Sequence, residues 1–415
     1  MDTIAKINTD KITKVKGGIC APVGFQAAGI HCGIRKNKKK KDLALIVSDQ
    51  MCQVAAVYTT NKIKGAPIYV TKEHIQDGTA KAIICNSGNA NTCAPNGIEV
   101  AEATCKLTAD ALGLKPSDII VSSTGVIGEE LFLEPFQEGI PKLAAELSYE
   151  GSDSAAKAIM TTDTVKKELA LEFTLGGKTC RMGGIAKGSG MINPNMATML
   201  CFLTTDVAIS HEMLQKALSA DIQDTFNQIS IDGDTYTNDT VAILANGMAG
   251  NPMINEEGED FQIFCKALYE MNHQLSKNIA RDGEGATKLI ECIVKGAPDK
   301  ETARIISKAV IESNLLKAAM FGEDGNWGRI LCAMGYAKTD FDISKTEVFI
   351  ESMLGSAQVC KDATYFKHSD KKVSHILSAA EVKLVIDIHQ GEAEATAYGC
   401  DLTYDYVKIN GSYRS

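Results

Sequence analysis

Between Gly183 and Ile209 the chain reads GGIAKGSGMINPNMATMLCFLTTDVAI, and Thr198 stands where a glycine-rich half meets an apolar one. A threonine hydroxyl is a weak nucleophile unless a base lies beside it, and an α-amine on the same residue is one way to supply that base. Cutting the Ala197–Thr198 bond would create such an amine, with an ordinary pKa of roughly 7.7–8.0, close to working pH. These residue types fit acyl transfer through Thr198. On spacing alone a glycine-rich loop feeding a core strand is the simpler reading.

Acyl transfer also needs donors for the negative oxygen of the tetrahedral intermediate, and backbone N–H groups at a glycine, helped by a hydroxyl, suit that task. The segment SSTGVIG, Ser122–Gly128, offers the Thr124 hydroxyl and the Gly125 backbone just after an expected strand. An ordinary strand-to-helix turn explains the same residues. Lys187 on the glycine-rich arm and Glu284 in a Gly-Glu-Gly turn have the charges to hold the carboxylate and the ammonium of an amino acid. Both also read as surface-loop side chains.

The elements that must position these groups alternate. Leu43–Val47, Val54–Tyr58 and Ala82–Cys85 read as strands, Ile98–Leu112 as a helix, Asp118–Val121 as a buried strand and Glu129–Leu147 as a helix. After a loop from Gly183 through three glycines and Pro194, the run Met199–Leu203 reads as a buried strand. A helix follows from about His211, with Ser210 as N-cap and Leu214, Leu218, Ile222 and Phe226 on one face. Phe261–Ile279 is expected to be helical, Leu289–Val294 a strand, and a helix through Ile306, Ala309 and Val310 opens a last unit ending in strands Val382–Ile388 and Ala393–Tyr398. Asp340–Ser378 is polar and carries no clear period. The pattern is that of a mixed α/β protein.

Four blocks extend the reading: NSGNAN (86–91), KGSGMINPNMATML (187–200), SIDGDTYTNDTV (230–241) and FGEDGNWGRILCAMGY (321–336). Together they resemble the bifunctional ornithine acetyltransferase family of arginine biosynthesis, which are glutamate N-acetyltransferases with amino-acid acetyltransferase activity. The resemblance implies self-cleavage between Ala197 and Thr198. It further implies transfer of an acetyl group from N2-acetylornithine to glutamate through acetyl-Thr198, by ping-pong kinetics and without a cofactor. Acetyl-CoA is a further donor in some members.

By the same resemblance Thr124 and Gly125 form the oxyanion hole. Thr161, with Thr162 as a shift by one, binds substrate together with Lys187, Thr198, Glu284, Asn410 and the last residue, Ser415. The fold implied is an N-terminal-nucleophile-like layered core. In it residues 1–197 and the start of 198–415 build one catalytic body; the sequence pattern places its end near residue 290, leaving 291–415 as a smaller α+β unit whose tail, by the resemblance, returns to the site. An assembly of two copies of each fragment is implied as well. The 230–241 and 321–336 blocks read mainly as structural, with Asp232, Asn238 and Asp239 able to support the site from behind.

Composition narrows the alternatives. With 52 acidic against 43 basic residues and a formal net charge of −9, the chain as a whole has no attraction for nucleic acid or an anionic membrane surface. The basic run KNKKKK, Lys36–Lys41, reads as a solvated hairpin tip. No apolar run reaches the ~20 residues of a membrane helix. The thirteen cysteines, without a C-x-x-C pair or a signal peptide, read as reduced thiols of a cytoplasmic protein.

GGKT at Gly176–Thr179 lacks the upstream glycine of a phosphate loop, Glu172 standing in its place. In DGDTYTND a calcium loop would need glycine at Thr237 and glutamate at Ile243. No histidine spacing suggests a metal. A hydrolase of related architecture, such as an amidohydrolase or aminopeptidase, and a non-catalytic relative that stays uncut are the other readings.

Overall fold

The computed structural model describes residues 12–193 and 199–412. Up to residue 193 the chain forms β1 (Thr13–Lys14), β2 (Phe25–Ile30), β3 (Leu43–Tyr58), α1 (Ala66–His74), β4 (Thr79–Asn89), α2 (Gly97–Leu112), β5 (Ile119–Val126), α3 (Glu134–Ala145), α4 (Ser152–Ile159), β6 (Lys167–Leu175) and β7 (Lys178–Lys187). From residue 199 it continues with β8 (Leu200–Thr205), α5 (His211–Asp221), β9 (Ile229–Ser230), β10 (Thr240–Ala245), α6 (Glu259–Arg281) and β11 (Leu289–Ala297). The last stretch adds α7 (Lys300–Glu312), α8 (Asn314–Phe321), α9 (Trp327–Gly335), β12 (Glu347–Ser352), β13 (Gly355–Lys361), β14 (Thr364–Tyr365), α10 (Asp370–Leu377), β15 (Glu381–Asp387), β16 (Ala393–Cys400) and α11 (Tyr404–Asn410).

Two mixed sheets result, as the α/β reading expects. The first is nine-stranded, in the order β1-β6-β7-β8-β10-β3-β4-β5, with β2 paired to the first half of the long β3. The second runs β14-β13-β12-β15-β11-β16-β9. β8 shows that the first sheet is covered on both faces. Leu200 and Phe202 join one apolar cluster while Cys201 and Leu203 join another on the opposite face. A strand buried on both faces reads as a near-continuous apolar run: all six residues of β8 are buried, Leu200–Leu203 as apolar side chains and Thr204 and Thr205 with their hydroxyls donating to the Ile19 and Arg181 carbonyls.

Helix α4 covers one face of this sheet and α5 and α6 the other. α6 also packs against β16, so it joins the first sheet to the second. The second sheet has its own apolar cluster, from Ile290 through the inward residues of β12, β13, β15 and β16, closed by α7, α8, α9 and α10.

The helix starts follow local chemistry. Ser210 accepts the Met213 amide and Asp299 the Thr302 amide, each satisfying a donor that the first turn leaves free. Several expectations need correction. Leu43–Val47 and Val54–Tyr58 are one strand, β3, with a register irregularity against β4 between Val47 and Cys52. α5 stops at Asp221, so Phe226 lies in a following 3-10 turn and not on its face. The helix expected from Glu129 begins at Glu134.

The glycine-rich arm is also shorter than its composition suggests. β7 carries it as strand as far as Lys187, paired between β6 and β8. Gly183 is required there by close approach, because a Cβ would stand 2.1 Å from the Gly18 carbonyl oxygen. Glycine here makes room for a neighbouring backbone, not for a turn. The basic tip between β2 and β3 is exposed at Lys36 and Lys38–Lys40, as expected. Among the described residues no helix is long and apolar enough to cross a membrane.

Candidate active site

A cleft of about 560 Å³, open to solvent at its mouth, gathers Thr124, Gly125, Thr161, Thr162, Lys187, Glu284 and Asn410. Met191 and Ile192 line it on one side of the undescribed stretch 194–198, and Met199 and Leu200 on the other. Every substrate or oxyanion residue expected within the described chain therefore reaches one cavity. Ala197, Thr198 and Ser415 lie outside the described residues.

Thr124 and Gly125 belong to β5, which runs as strand to Val126, so Ser122–Gly128 is not the strand-to-helix turn its composition suggests. β5 pairs in parallel with β4, opposing Ser87 to Thr124 and Gly88 to Gly125. Gly125 has φ +135°, and a Cβ on it would meet the Gly88 carbonyl carbon at 2.3 Å. Only glycine fits a backbone so close and so turned. Among the described residues no partner hydrogen-bonds the buried Thr124 hydroxyl. The Gly125 N–H, by contrast, donates to the Tyr236 hydroxyl at 3.0 Å, and that hydroxyl donates to the Gly125 carbonyl at 2.9 Å.

Lys187 and Glu284 are not exposed loop side chains: each is only 6% exposed. Lys187 ends β7 with its side chain in the cleft wall. Burial lowers its pKa, opposed by the charges of Asp163 and Asp239. Burial raises the Asp239 carboxyl well above its usual range, with the Lys187 charge and the Thr59 side chain pulling the other way. Burial thus works against the Lys187 charge, and an incoming carboxylate would offset that cost.

A buried ionic triad, absent from the motif-based reading, holds this wall together. Lys167 Nζ lies 2.7 Å from Asp163 Oδ1 and 2.6 Å from Asp282 Oδ2. Asp163 also accepts the N–H groups of Thr161 and Gly188, at 2.9 and 2.7 Å. Burial on its own would raise the Asp163 carboxyl; the Lys167 and Lys187 ammonium groups and the Gly188 N–H outweigh it and hold the group well below the carboxylate range. Asp282 takes the Thr164 N–H and hydroxyl, its carbonyl accepts the Ser189 hydroxyl, and the Ser189 carbonyl accepts the Glu284 N–H. One cation and two carboxylates thereby fix the threonine pair, the end of the glycine arm and the Glu284 turn together.

The tail arrives by a separate route. Asp401 accepts the N–H groups of Thr287 and Lys288, and the Thr403 hydroxyl caps α11 while donating to the Gly285 carbonyl. α11 then brings Asn410 to the cleft, where its Nδ2 donates to Glu284 Oε2 at 2.7 Å.

The 230–241 block supports the site from behind, as expected. Asp232 accepts the N–H groups of Met191 and Ile192, and Asn238 bridges the Ala90 and Ser123 carbonyls and the Thr92 hydroxyl. Sequence alone does not single out Tyr236, although an aromatic inside DGDTYTND, a run of small polar residues, is the available signal.

A two-sheet α/β fold whose cleft offers a hydroxyl, a buried cation and a carboxylate is suited to group transfer between amino acids. The ArgJ family model matches residues 26–415, and the chain belongs to the ArgJ family. It is a bifunctional acetyltransferase of arginine biosynthesis. It is 47% identical over 400 residues to the arginine biosynthesis bifunctional protein ArgJ of Caldanaerobacter subterraneus subsp. tengcongensis, covering 96% of this chain and 99% of that one. Its identity to the Bacillus subtilis protein of the same name is 45% over 412 residues, 99% of this chain and 100% of the other. The crystal structure of the Mycobacterium tuberculosis ornithine acetyltransferase complexed with ornithine is 35% identical and matches 45% of this chain and all of that chain, with a TM-score of 0.41.

Proposed function

We propose that the chain cuts itself between Ala197 and Thr198 and then carries acetyl groups from N2-acetylornithine to glutamate on the Thr198 hydroxyl. Thr198 Oγ attacks the acetyl carbonyl and passes its proton to its own α-amine. The tetrahedral intermediate collapses as the C–N bond breaks, the departing ornithine amine takes that proton, and acetyl-Thr198 remains. The α-amine of glutamate then attacks the ester carbonyl, and Thr198 recovers its proton as acetylglutamate leaves.

Thr124 and Gly125 serve the negative oxygen. Lys187, with Thr161 or Thr162, takes the substrate carboxylate. Glu284, held on one oxygen by Asn410, takes the side-chain ammonium of ornithine, and Ser415 completes the site. Residues 1–197 and 198–415 stay in one body in this reading, which the sheet order favours: β8 and β10 from the second fragment lie between β7 and β3 of the first. The reading also assigns two copies of each fragment to the native assembly, a mass that sedimentation reports directly.

What carries the proposal is convergence. Seven expected residues from five stretches, 124–125, 161–162, 187, 284 and 410, line one cleft whose wall continues at Met199, the neighbour of Thr198. The test is the mass of freshly purified untagged protein under denaturing conditions, with N-terminal sequencing. Two fragments are expected, one beginning Thr-Met-Leu-Cys, and Thr198→Ala should give one uncut, inactive chain. An active wild-type sample consisting only of the 415-residue species would end the mechanism.

A further inference from the structure

Tyr236 touches the Gly125 peptide from both sides. Its hydroxyl accepts the Gly125 N–H at 3.0 Å and donates to the Gly125 carbonyl at 2.9 Å, and its ring lines the cleft. The residue is held firmly. Its own carbonyl accepts the Thr59 hydroxyl at 2.8 Å, and the Thr237 carbonyl accepts the Gly65 N–H at 3.0 Å. On the other flank the Thr235 hydroxyl donates to the Asn193 carbonyl at 2.8 Å.

This arrangement bears on the oxyanion site. An N–H already engaged by a neutral acceptor does not point bare into the cleft. Two outcomes are chemically open when a negative oxygen forms beside Thr124. Either the phenol leaves, or its proton swings from the Gly125 carbonyl to the new anion while the phenol oxygen keeps the Gly125 N–H. The second exchanges a neutral hydrogen bond for a charge-assisted one, roughly twice as strong. It also leaves no donor unpaired, and the anchors on both flanks of Tyr236 oppose its departure.

We infer that Tyr236 is a catalytic residue of the acetyl transfer, presenting its hydroxyl to the tetrahedral oxyanion as a relay polarised by the Gly125 N–H. No bond to the phenol proton breaks: the hydroxyl rotates toward the anion when it forms and returns to the Gly125 carbonyl when the intermediate collapses. The inference rests on the oxyanion reading of Thr124 and Gly125 given above.

The experiment compares Tyr236→Phe with Thr124→Val in the fully processed enzyme, following kcat and KM for acetylornithine and glutamate. Tyr236→Phe is expected to lower kcat by about 10²-fold, the cost typical of one lost oxyanion donor, with both KM values little changed. An unchanged or raised kcat overturns the relay, because phenylalanine leaves the Gly125 N–H free to act directly. If Thr124→Val lowers kcat and Tyr236→Phe does not, the relay alone falls; if neither does, the oxyanion reading falls with it.

A second readout does not require the site to accept phenylalanine. Replacing Tyr236 by a fluorinated, more acidic tyrosine should move the alkaline limb of kcat to lower pH, since an ionised phenol cannot donate. An unmoved limb overturns the proposal.

Discussion

Lys167 and Asp282, 115 positions apart in the chain, hold their charged atoms 2.6 Å from each other inside the protein, with Asp163 closing the group at 2.7 Å. Two carboxylates share one buried ammonium. The cation is therefore the member whose loss costs most, because it alone among the described residues forms ion pairs with both partners.

Lys167→Met should destabilise the fold by about 3–5 kcal/mol, the usual penalty for leaving buried charge unpaired. Urea unfolding of the uncut Thr198→Ala chain, compared at one fixed protein concentration, measures it without separation of the two fragments. A loss under about 1 kcal/mol would place the triad with surface ion pairs in importance.

Glu284→Gln keeps an oxygen for the Asn410 amide but removes the charge. A hydrogen bond to a charged group contributes about 1.5–3 kcal/mol, so KM for acetylornithine should rise about 10- to 100-fold. Glutamate has no side-chain ammonium, and its KM should move far less. Equal shifts for both substrates would assign the ornithine ammonium to another partner.

The fold-level reading succeeds where local pattern decides. The Ser210 cap, α2, α6 and the apolar β8 follow from a capping hydroxyl, a helical period and an uninterrupted apolar run. It fails where a neighbour distant in sequence decides. Gly183 reads as loop until Gly18 is seen to occupy the space of its Cβ. Lys187 and Glu284 read as solvated until β6, β8 and the tail close over them. Those residues named by resemblance that the structure describes converge on the cleft, but resemblance names neither Lys167 and Asp282, which fix its wall, nor Tyr236, which engages Gly125. No periodicity links those residues to the groups they serve.

Away from the cleft, Asp221 closes α5 with one oxygen accepting from Asn272 and Thr225 and the other without a partner among the described residues. Burial raises its carboxyl to about 7, with Asn272 and Thr225 pulling back and Asp224 adding to the rise. Between about pH 4 and 7 the folded chain thus holds a proton that the unfolded chain releases. The contribution of Asp221 to stability should fall as pH rises through that window and stay level above it, a change on the order of 4 kcal/mol. Asp221→Asn should flatten this part of the stability profile, seen as the difference in urea midpoints between pH 4.5 and 7.5. An unaltered slope would show that another group carries the titration.

The order of strands in the first sheet also sets a sequence of events at synthesis. In the finished sheet β7 and β3 are three strand spacings apart, about 14 Å, and the two strands between them, β8 and β10, both lie beyond residue 197. That gap is filled only after β10 has emerged, some forty residues beyond β8. The Gly125 backbone and Tyr236 meet no sooner. If the chain cuts itself as proposed, a cut that depends on this cleft waits for completion of the sheet, and the polypeptide would be divided only once its two parts are already woven together.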